Sequence, residues 1–388
     1  MDPTEPDDVR AIRAAVRDLC ARYPDTYWRE LDRTSAYPEA FVKELTRAGW
    51  LAALIPAEYG GAGLGMAEAG AILEEIDRSG GNAAPAHAQM YVMGALLRHG
   101  TEEQKRRYLP GIARGELRMQ AFAVTEPDAG SDTTRLRTTA VRKGDRYVVN
   151  GRKVFISRAQ YSDLMLLLAR TTPVDQLDDR TRGLSLFVVD MREAAKQGTL
   201  EIAPIATMLN HHTTELAFRD LEVPAADLIG TEGMGFRHVI DAWNAERILI
   251  ASESIGDGRW FVERSSKYAT DRVVFGRPIG ANQAVQFPIA QAHARIEAAA
   301  LMRDKAAWLF DHGKPCGPEA NMAKLLASQA AWDAANAALD AHGGYGFAKD
   351  FDVERKFRET RLYMTAPVSN NLVLAFVGHN VLGMPRSY

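Results

Sequence analysis

Residues 146–157 read Arg146-Tyr147-Val148-Val149-Asn150-Gly151-Arg152-Lys153-Val154-Phe155-Ile156-Ser157. Two β-prone runs flank Asn150-Gly151, a pair that suits a tight turn because both central residues need positive φ. The spacing predicts a hairpin with its turn at Asn150-Gly151. Working outward, strand-length texture continues on both sides. Met119 to Val124 can alternate as a strand, and Leu164 to Ala169, Leu184 to Val189 and Thr214 to Phe218 are further runs of strand length. Few helical patterns lie between them, so an antiparallel sheet or barrel is expected over residues 118–229.

The flanks have a different period. Before residue 118, Pro38 stands in the expected first turn of a helix whose apolar positions are Phe41, Leu45 and Ala48. Pro56 to Gly65 is a breaker loop, and Met66 to Ser79 and Ala83 to His99 read as helices. Thr101 and Gln104 have the spacing of a capping box. After residue 229, Gly235 to Thr270, Ala284 to Asp311 and Glu319 to Ala341 are long helical stretches, which side by side suggest a bundle. The expected class is α+β: an N-terminal α-helical domain over 1–117, a middle antiparallel β domain over 118–229 and a C-terminal α-helical bundle over 230–388.

Composition sets bounds. The 388 residues are enough for two or three domains. Lys and Arg number 47 against 50 Asp and Glu, a net charge of −3 that argues against a duplex nucleic-acid binder. No run of 18 apolar residues occurs, so no membrane span is expected, and the acidic, polar start over residues 1–13 offers no secretory signal. Cys20 and Cys316 cannot build a disulfide framework, and a reducing, cytoplasmic setting is the simplest reading. His211-His212 lacks a third metal ligand and adjacent side chains diverge, so no metal is expected. Arg10, Arg13 and Arg17 read as a solvated helix face, and Met364 and Met384 as packing.

Three segments carry chemistry. Val124-Thr125-Glu126-Pro127-Asp128-Ala129-Gly130-Ser131-Asp132 leaves a strand as a turn of small polar residues that suits a polar cofactor edge or a phosphate. Asp271-Arg272-Val273-Val274-Phe275-Gly276-Arg277-Pro278-Ile279-Gly280, followed by Asn282-Gln283, offers guanidinium forks for phosphate oxygens. His342-Gly343-Gly344-Tyr345-Gly346-Phe347 allows close backbone approach to a ligand. Each alone also reads as an ordinary loop or helix end.

Together, in this order, they resemble the acyl-CoA dehydrogenase family over nearly the whole chain, which implies that the C-terminal bundle is a four-helix bundle. Thr125 to Asp132 matches its TEPxAGSD segment, Arg272, Phe275 and Gly276 its RxxFG segment, and Gly343, Gly344 and Gly346 its GGxG segment. Asn150-Gly151 through Ser157 matches its NGxKxWIT pair, with Phe155 for tryptophan and Ser157 for threonine. The resemblance implies FAD, held by Phe122, Val124, Thr125, Gly130, Ser131, Phe155, Ile156, Ser157, Arg272, Phe275, Gln283, Asp340, Gly343, Gly344, Ser369 and Asn371. Arg272 would reach the FAD pyrophosphate of a neighbouring subunit, which implies a homo-oligomer, a homotetramer built as a dimer of dimers. The implied reaction is α,β-desaturation of an acyl-CoA, with an electron-transfer flavoprotein as acceptor.

That reaction needs a base at the substrate α-carbon, and many members carry a glutamate near the C-terminus for it. Pro367 stands there, in Met364-Thr365-Ala366-Pro367-Val368-Ser369, and no carboxylate follows Arg361. Isovaleryl- and long-chain-type members carry the base on the bundle helix in a D-x-E-R segment. Asn244-Ala245-Glu246-Arg247 matches it except for Asn244, so Glu246 is the implied catalytic base, with Ser131, Asn244 and Arg247 toward the substrate. Two departures stand out. Pro367 has no N–H to polarise the thioester carbonyl, unless Ala366 or Val368 donates instead. Asp340 replaces a glutamine near the pyrophosphate, where an acid repels. They keep two alternatives open: a flavin monooxygenase or N-hydroxylase on the same fold, and a non-catalytic acyl-CoA-binding relative.

Overall fold

The computed structural model describes residues 6–387, so the first five residues of the acidic start lie outside the described residues. Six helices come first: α1 (Asp7–Cys20), α2 (Asp25–Thr34), α3 (Glu39–Arg47), α4 (Met66–Arg78), α5 (Ala84–His99) and α6 (Glu102–Ala113). The sheet follows, with β1 (Met119–Ala123), β2 (Thr139–Lys143), β3 (Arg146–Ser157), β4 (Leu164–Arg170), β5 (Leu184–Asp190), helix α7 (Met191–Gln197), β6 (Leu200–Pro204), β7 (Thr213–Pro224) and β8 (Leu228–Ile229). Helices then return as α8 (Gly235–Asp271), a two-stranded ribbon β9 (Val273–Val274) and β10 (Arg277–Pro278), α9 (Gln283–Asp311), α10 (Gly317–His342), α11 (Val353–Arg361) and α12 (Asn370–Phe376). The three long helices α8, α9 and α10 pack together, and the shorter α11 and α12 lie against α10.

The sheet order is β6-β7-β3-β2-β4-β5-β8, with β1 added to β4. Its pairings are antiparallel except β1 on β4 and a single β2–β4 contact, which are parallel. A parallel pair needs a long connection, and the β2–β3 hairpin between β1 and β4 supplies one.

The hairpin expected at Asn150-Gly151 is not there. β3 runs unbroken through both residues, and the turn lies one strand earlier at Gly144-Asp145, with Lys143 paired to Arg146. Gly151 is needed for closeness rather than for a turn. Its φ is 152°, and a Cβ there would sit 2.4 Å from Thr138 Oγ1. Asn150 reaches sideways instead, donating to Asp220 Oδ1 at 3.0 Å and accepting from the Asp220 N–H at 2.9 Å.

The helical expectations hold in detail. Thr101 caps α6 with both capping-box bonds formed. α8 spans 37 residues, about 55 Å at 1.5 Å per residue. The arginine stripe of α1 is different from its sequence reading. Arg13 pairs with Glu74 at 3.0 Å and Glu75 at 3.2 Å, and Arg17 with Glu75 at 3.0 Å. Both glutamates are buried on α4, so α1 is held down by charges that α4 could not bury alone. Arg10 stays near the surface and pairs with Asp7. His211 faces Arg158 Nη1 at 3.3 Å, and the His212 ring packs edge-on against Tyr161 and Tyr37. No helix among the described residues is long and apolar enough to cross a membrane. Cys20 and Cys316 are buried free thiols.

Candidate active site

A carboxylate sits deep in the helical interior. Glu246 lies on the buried face of α8, 6% exposed, and its Oε2 has no hydrogen-bond partner. Burial pushes its carboxyl up to about 7, against the pull of His87 and Arg247 and with a further push from Glu253. A group poised there takes up and releases protons near neutrality, which is what a general base requires. Arg247 is buried beside it, its Nη1 donating to Asn244 Oδ1 at 3.3 Å and its Nε unpaired. Burial lowers the Arg247 pKa from its ordinary value.

The loop around Pro367 is anchored toward the same region. Lys324 of α10 is fully buried and donates to Val368 O at 2.8 Å and to Asn370 Oδ1 at 2.6 Å. Burial, with the Arg247 charge adding to it, pushes its ammonium down to about 7. The Ala366 N–H is already bonded to Leu362 O at 2.9 Å. Ser369 caps α12, accepting from the Leu372 N–H at 3.4 Å, and Asn371 is exposed.

The ends of β1 and β3 form a second part of the site. The Val154 N–H donates to Thr125 O at 2.9 Å, which sets the polar turn beside the Phe155-Ile156-Ser157 stretch. Lys153 fixes the turn from below, its Nζ 2.8 Å from Val124 O and 3.0 Å from Glu126 Oε1. Glu126 also accepts from the N–H groups of Arg137 and Thr138. Burial works against its charge, but Lys153 and these donors hold its carboxyl below the usual range. Phe155 falls at a β-bulge with φ 58° and is 63% exposed, so the backbone turns its ring outward while Ile156 packs inward. Thr125 and Ser157 are half-buried, Val124 is buried, and Gly130 and Ser131 are exposed. The Phe122 ring lies 6.0 Å from the Tyr91 ring, whose neighbours include the Glu246 charge.

A third group gathers at the far end of α8. His342 stacks on Tyr268 with ring centroids 4.1 Å apart, bringing the Gly343-Gly344 turn to the helix end that carries Arg272. Asp340, Gln283 and Arg272 are exposed, and Phe275 is fully exposed at φ 52°. A Cβ at Gly343 or Gly344 would meet nothing within 4 Å, and Gly343 has φ 56°. The Arg272 side chain has no ion-pair partner among the described residues. The single chain does not bring this third group against Glu246; the two lie toward opposite ends of α8.

Lys324, Lys153 paired with Glu126, and the His87–Glu253 pair were not singled out from the sequence. Lys153 stands inside a recognisable segment and could have been. The others meet only through helix packing and leave no local signal.

An N-terminal helical unit, a β unit and a helical bundle, with a buried carboxylate on the longest bundle helix and polar turns at strand ends, define a class: α–β–α enzymes with a buried acid–base group. Comparison with known proteins narrows it. Residues 6–116, 121–221 and 233–381 match the N-terminal, middle and C-terminal domains of acyl-CoA dehydrogenases. The acyl-CoA dehydrogenase FadE12 of Mycobacterium tuberculosis is 35% identical over 388 residues, covering 99% of this chain and 98% of its own. A glutaryl-coenzyme A dehydrogenase structure in complex with glutaryl-CoA superposes with a TM-score of 0.92 at 29% identity, covering 100% of this chain and 98% of that one. A structure described as an electron transferring flavoprotein of Acidaminococcus fermentans gives a TM-score of 0.90 at 30% identity, covering 98% and 100%. The chain belongs to the acyl-CoA dehydrogenase family.

Proposed function

We propose that this chain is an FAD-dependent acyl-CoA dehydrogenase that converts a saturated acyl-CoA to its 2,3-enoyl-CoA, with Glu246 taking the α-proton. The observation that carries this reading is the buried, unpaired Glu246 carboxylate whose burial holds it near 7. Pro367 removes the alternative carboxylate, so no second base competes in this loop.

The residues present fit FAD. Phe155 and Phe275 are rings held out at positive φ, suited to covering a flavin or an adenine. Thr125, Ser131 and Ser157 offer hydroxyls, Ile156 and Val124 apolar backing, and Phe122 an aromatic edge on the Glu246 side. Gly343 and Gly344 leave room for a diphosphate, and Arg272 is a free guanidinium for it. Asp340 is exposed at the same helix end, where solvent reduces its repulsion of a phosphate. FAD, when bound, supplies the acceptor for the β-hydride at N5.

The chain's own work is to place and deprotonate. Glu246 Oε2 faces the α-carbon and receives its proton. Asn244 and Arg247 bound the space on the thioester side, the structure burying Arg247 rather than leaving it at an open mouth. With Pro367 lacking an N–H and the Ala366 N–H already bonded, Val368 is the backbone donor this loop offers to the thioester carbonyl. Lys324 holds that donor in place through the Val368 carbonyl. The departure at Pro367 therefore shifts the polarising donor by one residue and does not favour the monooxygenase or non-catalytic reading.

The finer readings are a homotetramer as a dimer of dimers, an electron-transfer flavoprotein as acceptor, a place in fatty-acid metabolism and a cytoplasmic setting. Supporting the assembly, exposed Phe287, Ala294, Leu301 and Trp308 recur every seven residues along α9 as an uncovered apolar stripe. The exposed Arg272-to-Phe275 ribbon also fits a site completed by another subunit.

The test is anaerobic mixing of FAD-loaded protein with a panel of saturated acyl-CoAs. Loss of the oxidised flavin absorbance with some of them is the expected result. Unchanged absorbance with every thioester would overturn the dehydrogenase reading.

A further inference from the structure

We propose that the deep end of the substrate cleft is a hydroxyl subsite: His87 and Glu253 receive an alcohol or phenol group carried by the acyl chain. This rests on the dehydrogenase reading with Glu246 as base.

Helices α5 and α8 pack against each other and run in opposite directions. At one end Arg98, exposed near the end of α5, and Arg247 of α8 both act on the Cys316 thiol. At the other end His87 Nδ1 lies 3.2 Å from Glu253 Oε2. Between them Gly94 leaves open space, since a Cβ there would meet nothing within 4 Å. Glu246 and Glu253 are seven residues apart and share a helix face, so the pair lies about 10 Å beyond the base. That is the reach of a medium acyl chain or of a phenylpropanoyl group. Tyr91 continues the wall, its ring 4.9 Å from His87 and 6.0 Å from Phe122.

The polar demand at this end is specific. His87 is 6% exposed and Glu253 1%, and His87 Nε2 and Glu253 Oε1 are both buried without a partner. A hydrocarbon tail would leave both unsatisfied, at about 1–3 kcal/mol for each such group. One hydroxyl answers both: its oxygen accepts from His87 Nε2–H while its hydrogen is donated to Glu253 Oε1. A carboxylate tail would meet Glu253 and Glu246 with one imidazole to offset them. The nearby guanidinium of Arg158 has its Nη2 on Ala84 O at 2.8 Å and its Nη1 against His211 at 3.3 Å, so its buried Nε is the one donor left, too little to offset a third carboxylate beside Glu246 and Glu253. An ammonium tail has donors only and would leave the His87 Nε2–H without an acceptor. The neutral O–H group is the one that fits.

The experiment compares matched substrates on the holoenzyme: octanoyl-CoA with ω-hydroxyoctanoyl-CoA, and phenylpropanoyl-CoA with its para-hydroxy analogue. The hydroxylated member should be preferred at least about tenfold in kcat/KM in one pair or both, since a polar site rejects the analogue lacking its partner. His87→Leu should abolish or invert that ratio. Glu253→Gln, which keeps shape and volume, should reduce it, and serves if the leucine variant fails to load FAD. Product binding to Glu246→Gln, followed by calorimetry, should show the same preference without turnover. A ratio near one in both pairs, or a ratio untouched by both variants, would overturn the subsite alone. Flavin unbleached by every member of both pairs would overturn the dehydrogenase reading and the subsite with it.

Discussion

Glu246 is maintained against its surroundings. Its carboxyl is raised from 4.5 to about 7, chiefly by burial. Between those values the folded protein binds more protons than the unfolded chain, so this residue makes stability fall as pH rises through the window. At 1.36 kcal/mol per pKa unit the loss approaches about 3 kcal/mol above pH 7. Glu246→Gln should therefore be more stable than the parent protein at about pH 8, by up to about 3 kcal/mol, with the gap closing toward about pH 5. Denaturant unfolding at the two pH values measures it; a gap that does not change with pH would contradict the assigned cause. Glu246 was singled out from the sequence because its Glu-Arg segment resembles the family's and Pro367 replaces the other carboxylate. His87, Glu253 and Lys324 were not, because their roles arise where α5, α8 and α10 meet and each alone is one more polar residue on a helix.

At the scale of elements, charge does much of the fastening. Lys356 of α11 is fully buried, bonded to Gly81 O at 2.8 Å and paired with Asp257 of α8, with Glu359 at 3.2 Å and with Asp77 of α4 at 3.6 Å. One ammonium thus ties α11 to both α4 and α8. Lys356→Met should cost about 3–5 kcal/mol, the range for breaking a buried ionic group from one side, because three acids lose their shared cation. Chemical denaturation would show it, and a loss below about 1 kcal/mol would contradict the account of how α11 is held. The long helices were readable from their texture, and the α6 cap from Thr101 and Gln104. The β3 turn was misplaced because Asn-Gly signals a turn only where the backbone is free to make one. At Gly151 the approach of Thr138, the residue before β2, requires the missing Cβ while the strand continues. The Arg13 and Arg17 pairs were invisible for a similar reason: their partners lie on α4, some sixty positions away.

For the whole molecule, the α9 stripe and the free Arg272 point the same way. Leu301 is 73% exposed and Trp308 49%, more apolar surface than a helix facing water usually presents. A Leu301→Glu, Trp308→Glu double variant should sediment as a species of about half the parent mass or less, if this stripe is the dimer-of-dimers contact. An unchanged mass would remove α9 from the assembly. The order of helical, β and helical units was legible from composition and period along the chain. The exposed stripe on α9 was not, since Phe287, Leu301 and Trp308 read as core until packing leaves them outside.

If Glu246 removes the substrate proton, rapid anaerobic mixing of the FAD-loaded Glu246→Gln protein with the best acyl-CoA should show bound substrate with flavin bleaching slowed by about 10²–10⁴-fold, the usual contribution of a positioned base. Bleaching at the parent rate would contradict it and return the search for the base to the rest of the cleft.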